Sequence, residues 1–330
     1  MTVRISVALC THNGAKFIRD QIRSICLQSL PPDEIVLSDD ASSDGCVALA
    51  RQALAECRQE RPGLSLCLLV LENRQALRAT GNFEQALRQC AGELIVLCDQ
   101  DDVWPQHRVA RMAAEFAARP ELLLLHSDAR MVDALGRPLG RTLFQSLEVR
   151  PWELERIHAG AALDVLLRRN LVTGATTMLR RELLKPALPF PPEWVHDEWL
   201  ALVATAVGTI DVLEEGLIDY RQHASNQIGA RRYSLAEKLR LALRPRGRRY
   251  GQRARKVELL LHRLLSLRTR VAADTIAKVS AKLAHQRYRA DLPADRMARL
   301  GPIAREIMSG GYRRFSRPLQ AIVQDLFESP

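Results

Sequence analysis

The sequence predicts an α/β fold with a mostly parallel central sheet flanked by helices, followed by a C-terminal helical appendage. Two observations carry this prediction. Over roughly the first hundred residues, short runs of branched apolar residues alternate with apolar residues at helical spacing. After residue 230, this alternation gives way to a basic segment with helical spacing only. We therefore predict a sheet-based domain over residues 1–230 and a basic helical region over residues 231–330.

The strands are predicted from short apolar runs that end at polar or glycine-containing loops. They cover residues 3–10, 34–38, 65–71, 94–98, 122–128, 171–179, 210–213 and 217–220. The first intervening helix is predicted from an apolar face that holds Ile18, Ile22 and Ile25. Residues 80–82 are predicted to cap the third helix. The sequence contains neither GxGxxG nor GxxxxGK[ST], so it supports neither a dinucleotide-fingerprint domain nor a P-loop NTPase.

The fourth predicted strand, residues 94–98, is apolar throughout and ends abruptly in acidic residues. Asp99, Asp101 and Asp102 follow it directly. Carboxylates this close repel one another unless a cation lies among them, and Mg²⁺ and Mn²⁺ prefer oxygen ligands. Ligands of open α/β sheets bind at the carboxyl ends of the strands, where these acids fall. The segment therefore predicts a divalent-metal site, and the alternative is a solvated acidic turn.

Further polar residues stand out next to predicted strands and helices. Asp39 and Asp40 follow the second strand, where acids can hold a base or ribose or make a capped turn. Asp197 lies in the first turn of a buried helix, where an acid also favours the helix dipole. His223 follows the last strand, either as a metal or phosphate ligand or as a structural histidine. Gly174 interrupts a predicted strand and indicates a close backbone approach.

Composition favours a folded protein of a reducing compartment. The chain has 330 residues, of which 47% are hydrophobic, and a net charge of +10. Its seven cysteines lie between Cys10 and Cys98 without a CxxC pair, which suits the cytosol better than a disulfide framework. No signal peptide is visible, and no apolar run approaches the roughly 20 residues that span a bilayer. We expect a cytoplasmic protein, either soluble or peripheral on the inner face of the cytoplasmic membrane.

The charge is unevenly distributed along the chain. Residues 1–230 hold 24 basic and 30 acidic residues, whereas residues 231–330 hold 24 and 8. A basic run from Arg244 to Lys256 contains no acid and leads into apolar residues at helical spacing. Such a region could dock on an anionic membrane, pack on the main domain, or join a second subunit in a homo-oligomer. It shows no recognised nucleic-acid-binding module, so nucleic acid is not an expected partner.

Five segments, taken in order, resemble family 2 glycosyltransferases with the GT-A fold, a Rossmann-like architecture. They are ISVALCTHNG, EIVLSDDASSDG, ELIVLCDQDDVW, HDEW and YRQHASN. The ordered set is specific, whereas each segment alone is short. The resemblance covers about Val3 to Ile228 and indicates the branch labelled rhamnosyltransferase-like. The basic region after Arg231 falls outside it.

The resemblance implies transfer of a hexose or deoxyhexose, with inversion of the anomeric configuration, from a UDP- or dTDP-linked sugar to the hydroxyl of a saccharide or lipid-linked acceptor. It implies a role in bacterial cell-surface polysaccharide synthesis. Asp99 and Asp101 match the DxD motif that binds Mn²⁺ or Mg²⁺, with Asp99 also next to the nucleotide. His223 matches a position that touches metal or diphosphate in some members. A divalent ion there would stabilise the leaving diphosphate as charge develops.

The resemblance also implies roles for residues outside the DxD motif. Thr11 and Asn13 would border the nucleotide, and Asp40 would contact uracil or thymine. Asp197 matches the catalytic base, which takes the proton from the acceptor hydroxyl as that oxygen attacks the anomeric carbon. The family usually has Glu or Asp before this base, whereas this sequence has His196.

Two other functions stay open on the sequence alone. The segment DQDDV also fits the DxDx[TV] motif of haloacid-dehalogenase-like phosphatases, with Asp99 as nucleophile and Asp101 as acid and base. Against this, three strand–helix units precede the motif, and Lys185 is the only lysine within residues 17–237 for phosphate binding. The second alternative is a non-catalytic nucleotide-sugar-binding protein on the same fold, which the joint presence of the acids disfavours.

Overall fold

The computed structural model describes residues 3–223, 247 and 249–328. Within these residues, eight strands form one sheet. In chain order they are β1 (Ile5–Thr11), β2 (Glu34–Asp39), β3 (Cys67–Glu72), β4 (Leu94–Cys98), β5 (Leu122–Val132), β6 (Pro138–Thr142), β7 (Thr177–Arg180) and β8 (Thr209–Arg221). Their spatial order is β3-β2-β1-β4-β7-β5-β6, and β8 pairs with β5. The predicted α/β architecture is confirmed.

Four parallel strands bring their carboxyl ends to one edge of the sheet. β1 pairs in parallel with β2 and β4, and β2 pairs in parallel with β3. Thr11 lies opposite Asp39, and Leu9 lies opposite both Leu37 and Cys98. Every residue of β4 is buried, as expected for a central strand covered on both faces. The loops that follow β1, β2 and β4 therefore lie next to one another.

The remaining strands make the sheet mixed. β7 pairs antiparallel with β4 and β5, β6 pairs antiparallel with β5, and β8 runs parallel to β5. The prediction of two strands at 210–213 and 217–220 was wrong, because β8 is continuous. Between Ser127 and Asp128 of β5, the partner residue on β8 moves from Leu213 to Gly216. This irregularity accommodates Glu214 and Glu215, which separate the two apolar runs, without ending the strand.

Along the chain, helices lie between the strands. They are α1 (Ile18–Cys26), α2 (Cys46–Glu60), α3 (Arg78–Gln89), α4 (Arg108–Ala118), α5 (Leu143–Ser146), α6 (Pro151–His158), α7 (Ala162–Leu166), α8 (Leu184–Ala187) and α9 (His196–Val207). The predicted apolar face of α1 is buried, since Ile18, Ile22 and Ile25 have no exposed surface. These side chains join β1, β4 and α2 in the main core. Burying each contributes about 1.5–3 kcal/mol.

Two local predictions were wrong for different reasons. The predicted strand 171–179 begins late, because residues Gly174–Thr176 form a short 3-10 helix before β7. The predicted cap at Thr80 lies inside α3, which begins at Arg78. Asp40, distant in sequence, binds the amide of Arg78 instead. A long-range contact therefore fixes the start of α3.

The chain forms two compact units. The first comprises residues 1–160, 172–204 and 208–230, and the second comprises residues 161–171, 205–207 and 231–330. The main helices of the second unit are α10 (Arg249–Ser266), α11 (Ala273–Ala290), α12 (Arg296–Met308), α13 (Gly311–Phe315) and α14 (Pro318–Phe327). The predicted C-terminal helical appendage is therefore confirmed. In the predicted basic run, residues 244, 246 and 248 lie outside the described part of the chain.

Charged side chains link the helices of the second unit from inside. Arg289 donates hydrogen bonds of 2.6 and 3.0 Å to Asp325, and Tyr312 donates one of 2.7 Å to the same carboxylate. Arg299 has no exposed surface and donates to main-chain carbonyls just before the start of α12 and at the end of α14. A buried guanidinium is tolerated when its donors are satisfied in this way. Arg249 likewise pairs with the buried Glu328 at 2.6 Å. Several arginines of this basic region are therefore structural.

Among the described residues, no helix has both the length and the apolar character that a membrane-spanning segment requires.

Candidate active site

Three aspartates follow β4 at the edge where the parallel strands end. Asp99 and Asp101 are half-buried, and Asp102 is buried. Oδ1 of Asp102 accepts a 3.0 Å hydrogen bond from the amide of Arg221, whereas its Oδ2 has no hydrogen-bond partner among the described residues. The end of β8 therefore fixes one side of this acidic loop.

The end of β8 also brings His223 to the acidic loop. Its Nε2 lies 2.7 Å from Oδ2 of Asp101, and its ring stacks on Phe17 with 4.6 Å between the ring centroids. Arg221 holds the same loop, because its Nε donates a 2.7 Å hydrogen bond to the carbonyl of Asp101. The structure thus places His223 beside one predicted metal ligand. Its contact with metal or diphosphate stays a prediction.

The carboxylates of the site perturb one another. Burial, followed by the charges of Asp101 and Asp197, raises the pKa of Asp99 from 3.8 to about 7. Burial and the charges of Asp101 and Asp99 also raise the pKa of Asp102. Negative charge concentrated in this way is relieved either by protons or by a bound cation.

This donor set suits a divalent ion. Carboxylate oxygens are the ligands that Mg²⁺ and Mn²⁺ prefer, and imidazole is a common metal ligand. Within residues 3–223, 247 and 249–328, no three His, Cys, Asp or Glu side chains are already grouped as a metal site. Asp101 and His223 are instead bonded to each other, so a cation held by both would replace that hydrogen bond. With this exchange, Asp99, Asp101 and His223 fit the predicted metal.

The loops after β1 and β2 are joined by hydrogen bonds. The hydroxyls of Thr11 and Ser42 donate to Oδ1 of Asp39 at 2.8 and 2.6 Å. Burial alone would raise the pKa of Asp39, but hydrogen bonds led by those of Ser42 outweigh it and lower the pKa. Asn13 adopts a left-handed conformation with φ of 50°, and its Oδ1 accepts a 3.0 Å bond from the amide of Ser43. Thr11 and Asn13, predicted to border the nucleotide, are therefore held against the β2 loop.

Asp40 has a structural role that the sequence did not indicate. Its Oδ1 accepts a hydrogen bond from the amide of Leu77 at 2.5 Å, and its Oδ2 accepts one from the amide of Arg78 at 2.9 Å. The carboxylate therefore caps the start of α3. The predicted contact of Asp40 with a pyrimidine base stays a prediction, and it would use lone pairs that these amides leave free.

Gln100 joins the acidic loop to the β1 loop. Its Oε1 accepts a 2.7 Å hydrogen bond from the amide of His12, and its Nε2 donates a 3.1 Å bond to the carbonyl of the same residue. Gly14 leaves room for this side chain, because a Cβ at Gly14 would lie 2.4 Å from Oε1 of Gln100. The loops after β1, β2 and β4 therefore form one connected surface.

Asp197 lies at the start of α9 with both carboxylate oxygens held. Oδ2 accepts a 2.8 Å hydrogen bond from the amide of Gly174, and Oδ1 accepts a 2.6 Å bond from the amide of Glu198. Its charge contributes to the raised pKa of Asp99. The structure thus brings the predicted base near the predicted metal ligands, although α9 and β4 are far apart in sequence.

His196, which precedes the predicted base, is a buried neutral imidazole. Its ring stacks on Phe83 with 3.9 Å between the centroids, and neither ring nitrogen has a hydrogen-bond partner among the described residues. Burial lowers its pKa to about 3. A Cβ at Gly174 would lie 2.8 Å from Nε2 of His196. The close backbone approach predicted at Gly174 is therefore an approach to α9.

Two further side chains of the site were missed by sequence reasoning. Arg108 has no exposed surface, lies 4.3 Å from the ring centroid of Trp104, and donates a 2.7 Å hydrogen bond to the carbonyl of Ala175. Burial lowers its pKa to about 10, although the charge of Asp102 acts in the opposite direction. Burial and the nearby carboxylates, led by Asp102, raise the pKa of Tyr220. Neither residue belongs to a local motif that could have indicated it.

The parallel strands that end in acidic loops define an α/β protein of the GT-A type. A model of the family described as glycosyl transferase family 2 matches residues 6–186, which is more than half of the chain. The chain belongs to glycosyl transferase family 2. This membership removes the haloacid-dehalogenase-like alternative.

Curated relatives are distant. An uncharacterized glycosyltransferase of Nostoc sp. is 24% identical over 230 residues, which is 68% of this chain and 66% of the relative. An uncharacterized protein of Mycobacterium bovis is 25% identical over 67% of this chain and 59% of its own length. The chain thus spans somewhat less than two thirds of these relatives. A putative teichuronic acid biosynthesis glycosyltransferase, TuaG of Bacillus subtilis, is 24% identical over 71% of this chain and 84% of its own length.

Solved structures share the fold. S. aureus TarS in complex with UDP-GlcNAc superposes with a TM-score of 0.55 at 18% identity, covering 98% of this chain and 88% of TarS. A mannosyltransferase of Pyrobaculum calidifontis in complex with GDP-Man and Mn²⁺ gives a TM-score of 0.51 at 18% identity, covering 98% and 86%. At this level of identity the likeness extends to the fold alone.

Proposed function

We propose that this protein transfers a sugar from a nucleotide-diphosphate sugar to an acceptor hydroxyl with inversion of the anomeric configuration. The observation that carries the proposal is electrostatic. Asp99, at the end of β4, has a pKa raised by burial and by the charges of Asp101 and Asp197. The three carboxylates proposed for the metal and the base therefore interact with one another at the edge where ligands of open α/β sheets bind.

In this proposal Asp99 and Asp101 hold Mn²⁺ or Mg²⁺, and His223 is a further contact to the metal or the diphosphate. When bound, the divalent ion would neutralise the diphosphate and stabilise its departure. The 2.7 Å contact between His223 and Asp101 supports a shared task for these two residues. The Mn²⁺ in the mannosyltransferase complex supports a divalent ion on this fold.

Asp197 is the proposed general base. The amides of Gly174 and Glu198 hold its carboxylate at 2.8 and 2.6 Å and so fix its orientation. Hydrogen bonds to the charged form favour an ionised carboxylate, which is the form that can accept a proton. Asp197 would take the proton of the acceptor hydroxyl while that oxygen attacks the anomeric carbon. One in-line displacement requires no covalent intermediate, so no second nucleophile is needed.

The donor is proposed to be UDP- or dTDP-linked. Thr11 and Asn13 would border the nucleotide, Asp40 would contact its pyrimidine, and Asp99 would lie beside both nucleotide and metal. The UDP-GlcNAc bound to TarS supports a uridine donor, whereas GDP-Man in the mannosyltransferase indicates that this fold also takes guanosine. A deoxyhexose such as rhamnose stays part of the proposal because of the sequence resemblance.

The acceptor is proposed to be a saccharide or a lipid-linked intermediate of bacterial cell-surface polysaccharide synthesis. The similarity to TuaG, named for teichuronic acid biosynthesis, supports this assignment. We further propose that the basic second unit lies on the anionic inner face of the cytoplasmic membrane, where a lipid-linked acceptor would be presented.

A donor screen tests the proposed reaction. UDP-glucose, UDP-GlcNAc, dTDP-rhamnose and GDP-mannose are each incubated with the protein. The nucleoside diphosphate released as the sugar is transferred to water, in place of the acceptor, is measured with Mn²⁺, with Mg²⁺ and with EDTA. We expect release from at least one uridine or thymidine donor, with a loss of orders of magnitude in EDTA and in Asp101→Ala. Glu155→Ala, an exposed acid on α6, is the matched control and should behave like the unaltered protein. Full release by Asp101→Ala in EDTA would contradict the proposal.

A further inference from the structure

The second unit exposes several large apolar side chains on each of two helices, and we refer to each set as a stripe. On α12 the exposed side chains are Met297, Leu300, Ile307 and Met308, with exposed fractions of 73%, 48%, 47% and 79%; on α14 they are Leu319, Val323 and Phe327, with 83%, 37% and 50%. On α12, spacings of three (297 to 300), seven (300 to 307) and eight (300 to 308) place these side chains on one face, and on α14 spacings of four do the same. Contiguous apolar patches of this kind mark interaction sites on folded proteins.

The two stripes belong to neighbouring helices. At the start of α12, Arg296 donates a 2.9 Å hydrogen bond to the carbonyl of Phe327 at the end of α14. Arg299 donates to the carbonyls of Asp325 and Glu328 at 3.0 and 2.8 Å. Other residues of the two helices, among them Ile303, are buried in the small core of this unit. The exposed stripes are therefore additional to the packed faces, and we refer to them together as the α12–α14 face.

Unpaired arginines accompany this face. Arg296, Arg305, Arg313 and Arg314 are exposed, and none forms an ion pair with a described residue. On α10 and α11, by contrast, Arg255 and Arg287 both pair with Glu258 at 2.8 and 2.6 Å.

Basic residues also outnumber acidic ones in the rest of the described C-terminal helices. Residues 249–328 contain 17 basic and 7 acidic residues. Two exposed acids, Asp291 and Asp295, lie near the start of α12, and Asp295 is engaged as its N-cap. The unit that carries this apolar face is thus predominantly cationic.

We propose that the α12–α14 face is the surface that docks on an anionic lipid bilayer, with its apolar side chains among the upper acyl chains and its arginines on the lipid phosphates. A membrane partner is already part of the proposed function; the new element is the inserting surface and its residues. A helix pair with an apolar face and arginines beside it has the composition of an interfacial membrane anchor. The docking does not depend on sugar transfer.

Charge complementarity selects this occupant over two others. A second copy of the chain would place the unpaired arginines of both faces against each other, which is unfavourable for association. A nucleic acid would satisfy the arginines, but it would leave the exposed leucine and methionine side chains without an apolar partner. An anionic bilayer provides both negative headgroups and an apolar phase.

Vesicle flotation of the full chain tests the proposal. The apolar variant combines Met297→Ser, Met308→Ser and Leu319→Ser, which are the most exposed side chains of the face and lie outside its core. The charge variant combines Arg305→Gln, Arg313→Gln and Arg314→Gln. The matched controls are Leu135→Ser, at a side chain that is 72% exposed in the first unit, and the pair Arg255→Gln and Arg287→Gln.

The expected results separate the two parts of the interaction. The unaltered protein should bind phosphatidylglycerol vesicles and leave phosphatidylcholine vesicles unbound. The partition coefficient should fall about fivefold per arginine, or about 100-fold in the charge variant. The apolar variant should lose at least about tenfold. Both controls should bind like the unaltered protein, and release of nucleoside diphosphate from a soluble donor should be the same in every variant.

A local probe checks insertion at a chosen residue. Leu319→Trp places an indole at the most exposed position of the face, and Leu135→Trp serves as the matched control. Brominated lipids in anionic vesicles should quench the added fluorescence of Leu319→Trp and leave that of Leu135→Trp unchanged.

Five outcomes would overturn the proposal. Equal binding to both vesicle types would exclude recognition of anionic lipid. Unchanged binding of the apolar variant, or no quenching of Leu319→Trp, would show that the face does not insert. A dimer in ultracentrifugation that the apolar variant converts to a monomer would assign the face to a second copy. RNA binding that is lost in the charge variant and kept in the apolar variant would assign it to nucleic acid.

Discussion

Asp99 and Asp197 come from distant parts of the chain, yet the charge of Asp197 raises the pKa of Asp99. At the scale of residues, this coupling is what joins a metal-ligand candidate to a base candidate. Their chemistry can still be separated, because the metal acts on the leaving diphosphate and the base acts on the acceptor. Substitutions at each residue therefore have different expected effects on donor binding and on transfer.

Asp197→Asn should separate binding from transfer. The amide keeps the size of the side chain but cannot accept a proton at neutral pH, so transfer should fall by roughly 10²–10⁴-fold. Donor affinity, measured by calorimetry with the same nucleotide sugar, should stay within about twofold because the base acts on the acceptor. An equal loss in affinity and in transfer would make Asp197 a donor-site or structural residue.

Gly174→Ala should disturb the base through its neighbour. The new Cβ would lie 2.8 Å from Nε2 of His196, whose ring is packed on Phe83 and has little room to move. Overpacking of this kind costs about 1–3 kcal/mol of folding free energy, and the shift should also lower the rate of transfer.

The double variant Gly174→Ala with His196→Ala is the control for that prediction. Removing the imidazole relieves the overpacking, so the double variant should regain part of the rate that Gly174→Ala loses. His196→Ala alone creates a cavity. If the two substitutions lose activity additively, the contact between Gly174 and His196 does not explain the effect.

At the scale of elements, the sequence predicted what local patterns encode. β4 was predicted at residues 94–98 and is observed as Leu94–Cys98, because an apolar run meets an acidic turn at a sharp boundary. The start of α3 could not be predicted, since its amides are capped by Asp40 from another loop. β8 was predicted as two strands because its apolar residues fall in two runs, 210–213 and 217–220, whereas the strand is continuous from Thr209 to Arg221 and pairs with β5 on both sides of Glu214 and Glu215.

The candidate site shows the same division between local and long-range information. Asp99 and Asp101 stand out in the sequence because they follow a strand, and Asp197 stands out because it lies in the first turn of a helix. Arg108 and Tyr220 carry no such signal, because only the folded chain places them beside the carboxylates. A side chain that reaches the site only through tertiary packing is not marked by a short sequence motif.

His126 in β5 should give a pH-dependent stability. The ring is buried without a hydrogen-bond partner among the described residues, and burial lowers its pKa from 6.5 to about 4. Between pH 6.5 and 4 the unfolded chain binds the proton and the folded chain does not. The contribution of the buried neutral imidazole to the free energy of unfolding is thus complete above pH 6.5. It declines as the pH falls and is about 2 kcal/mol smaller at pH 5.

Urea unfolding at pH 7.5 and pH 5 measures this effect. His126→Leu should show a smaller difference between the two pH values than the unaltered protein, and part of the difference should persist because His196 is also buried with a lowered pKa. The exposed His107→Gln is the control and should keep the full difference. Identical pH dependence in His126→Leu would show that His126 does not contribute.

At the scale of the whole molecule, the charge is divided along the chain. Residues 1–230 have an excess of acids, whereas residues 231–330 carry 24 basic and 8 acidic residues. Some of these basic side chains form ion pairs within the second unit, as in Arg249–Glu328 and Arg289–Asp325. The exposed remainder is available for an external anionic surface.

Vesicle binding should therefore depend on salt. The distance over which exposed charges act falls from about 10 Å at 0.1 M salt to about 3 Å at 1 M. Binding of the full chain to phosphatidylglycerol vesicles, followed by flotation, should weaken at least about tenfold over this range. Binding that is insensitive to salt would mean that the positive charge of the second unit has no part in it.

The claim on which the account depends most is that Asp99 and Asp101 hold a divalent ion together with the nucleotide. Electron paramagnetic resonance of Mn²⁺ titrated into the protein in the presence of UDP measures this directly, because bound and free Mn²⁺ give different signals. We expect one bound Mn²⁺ per chain, at least about tenfold weaker binding in Asp101→Ala, and unchanged binding in Glu155→Ala. Mn²⁺ binding by Asp101→Ala as tight as that of the unaltered protein would contradict that claim.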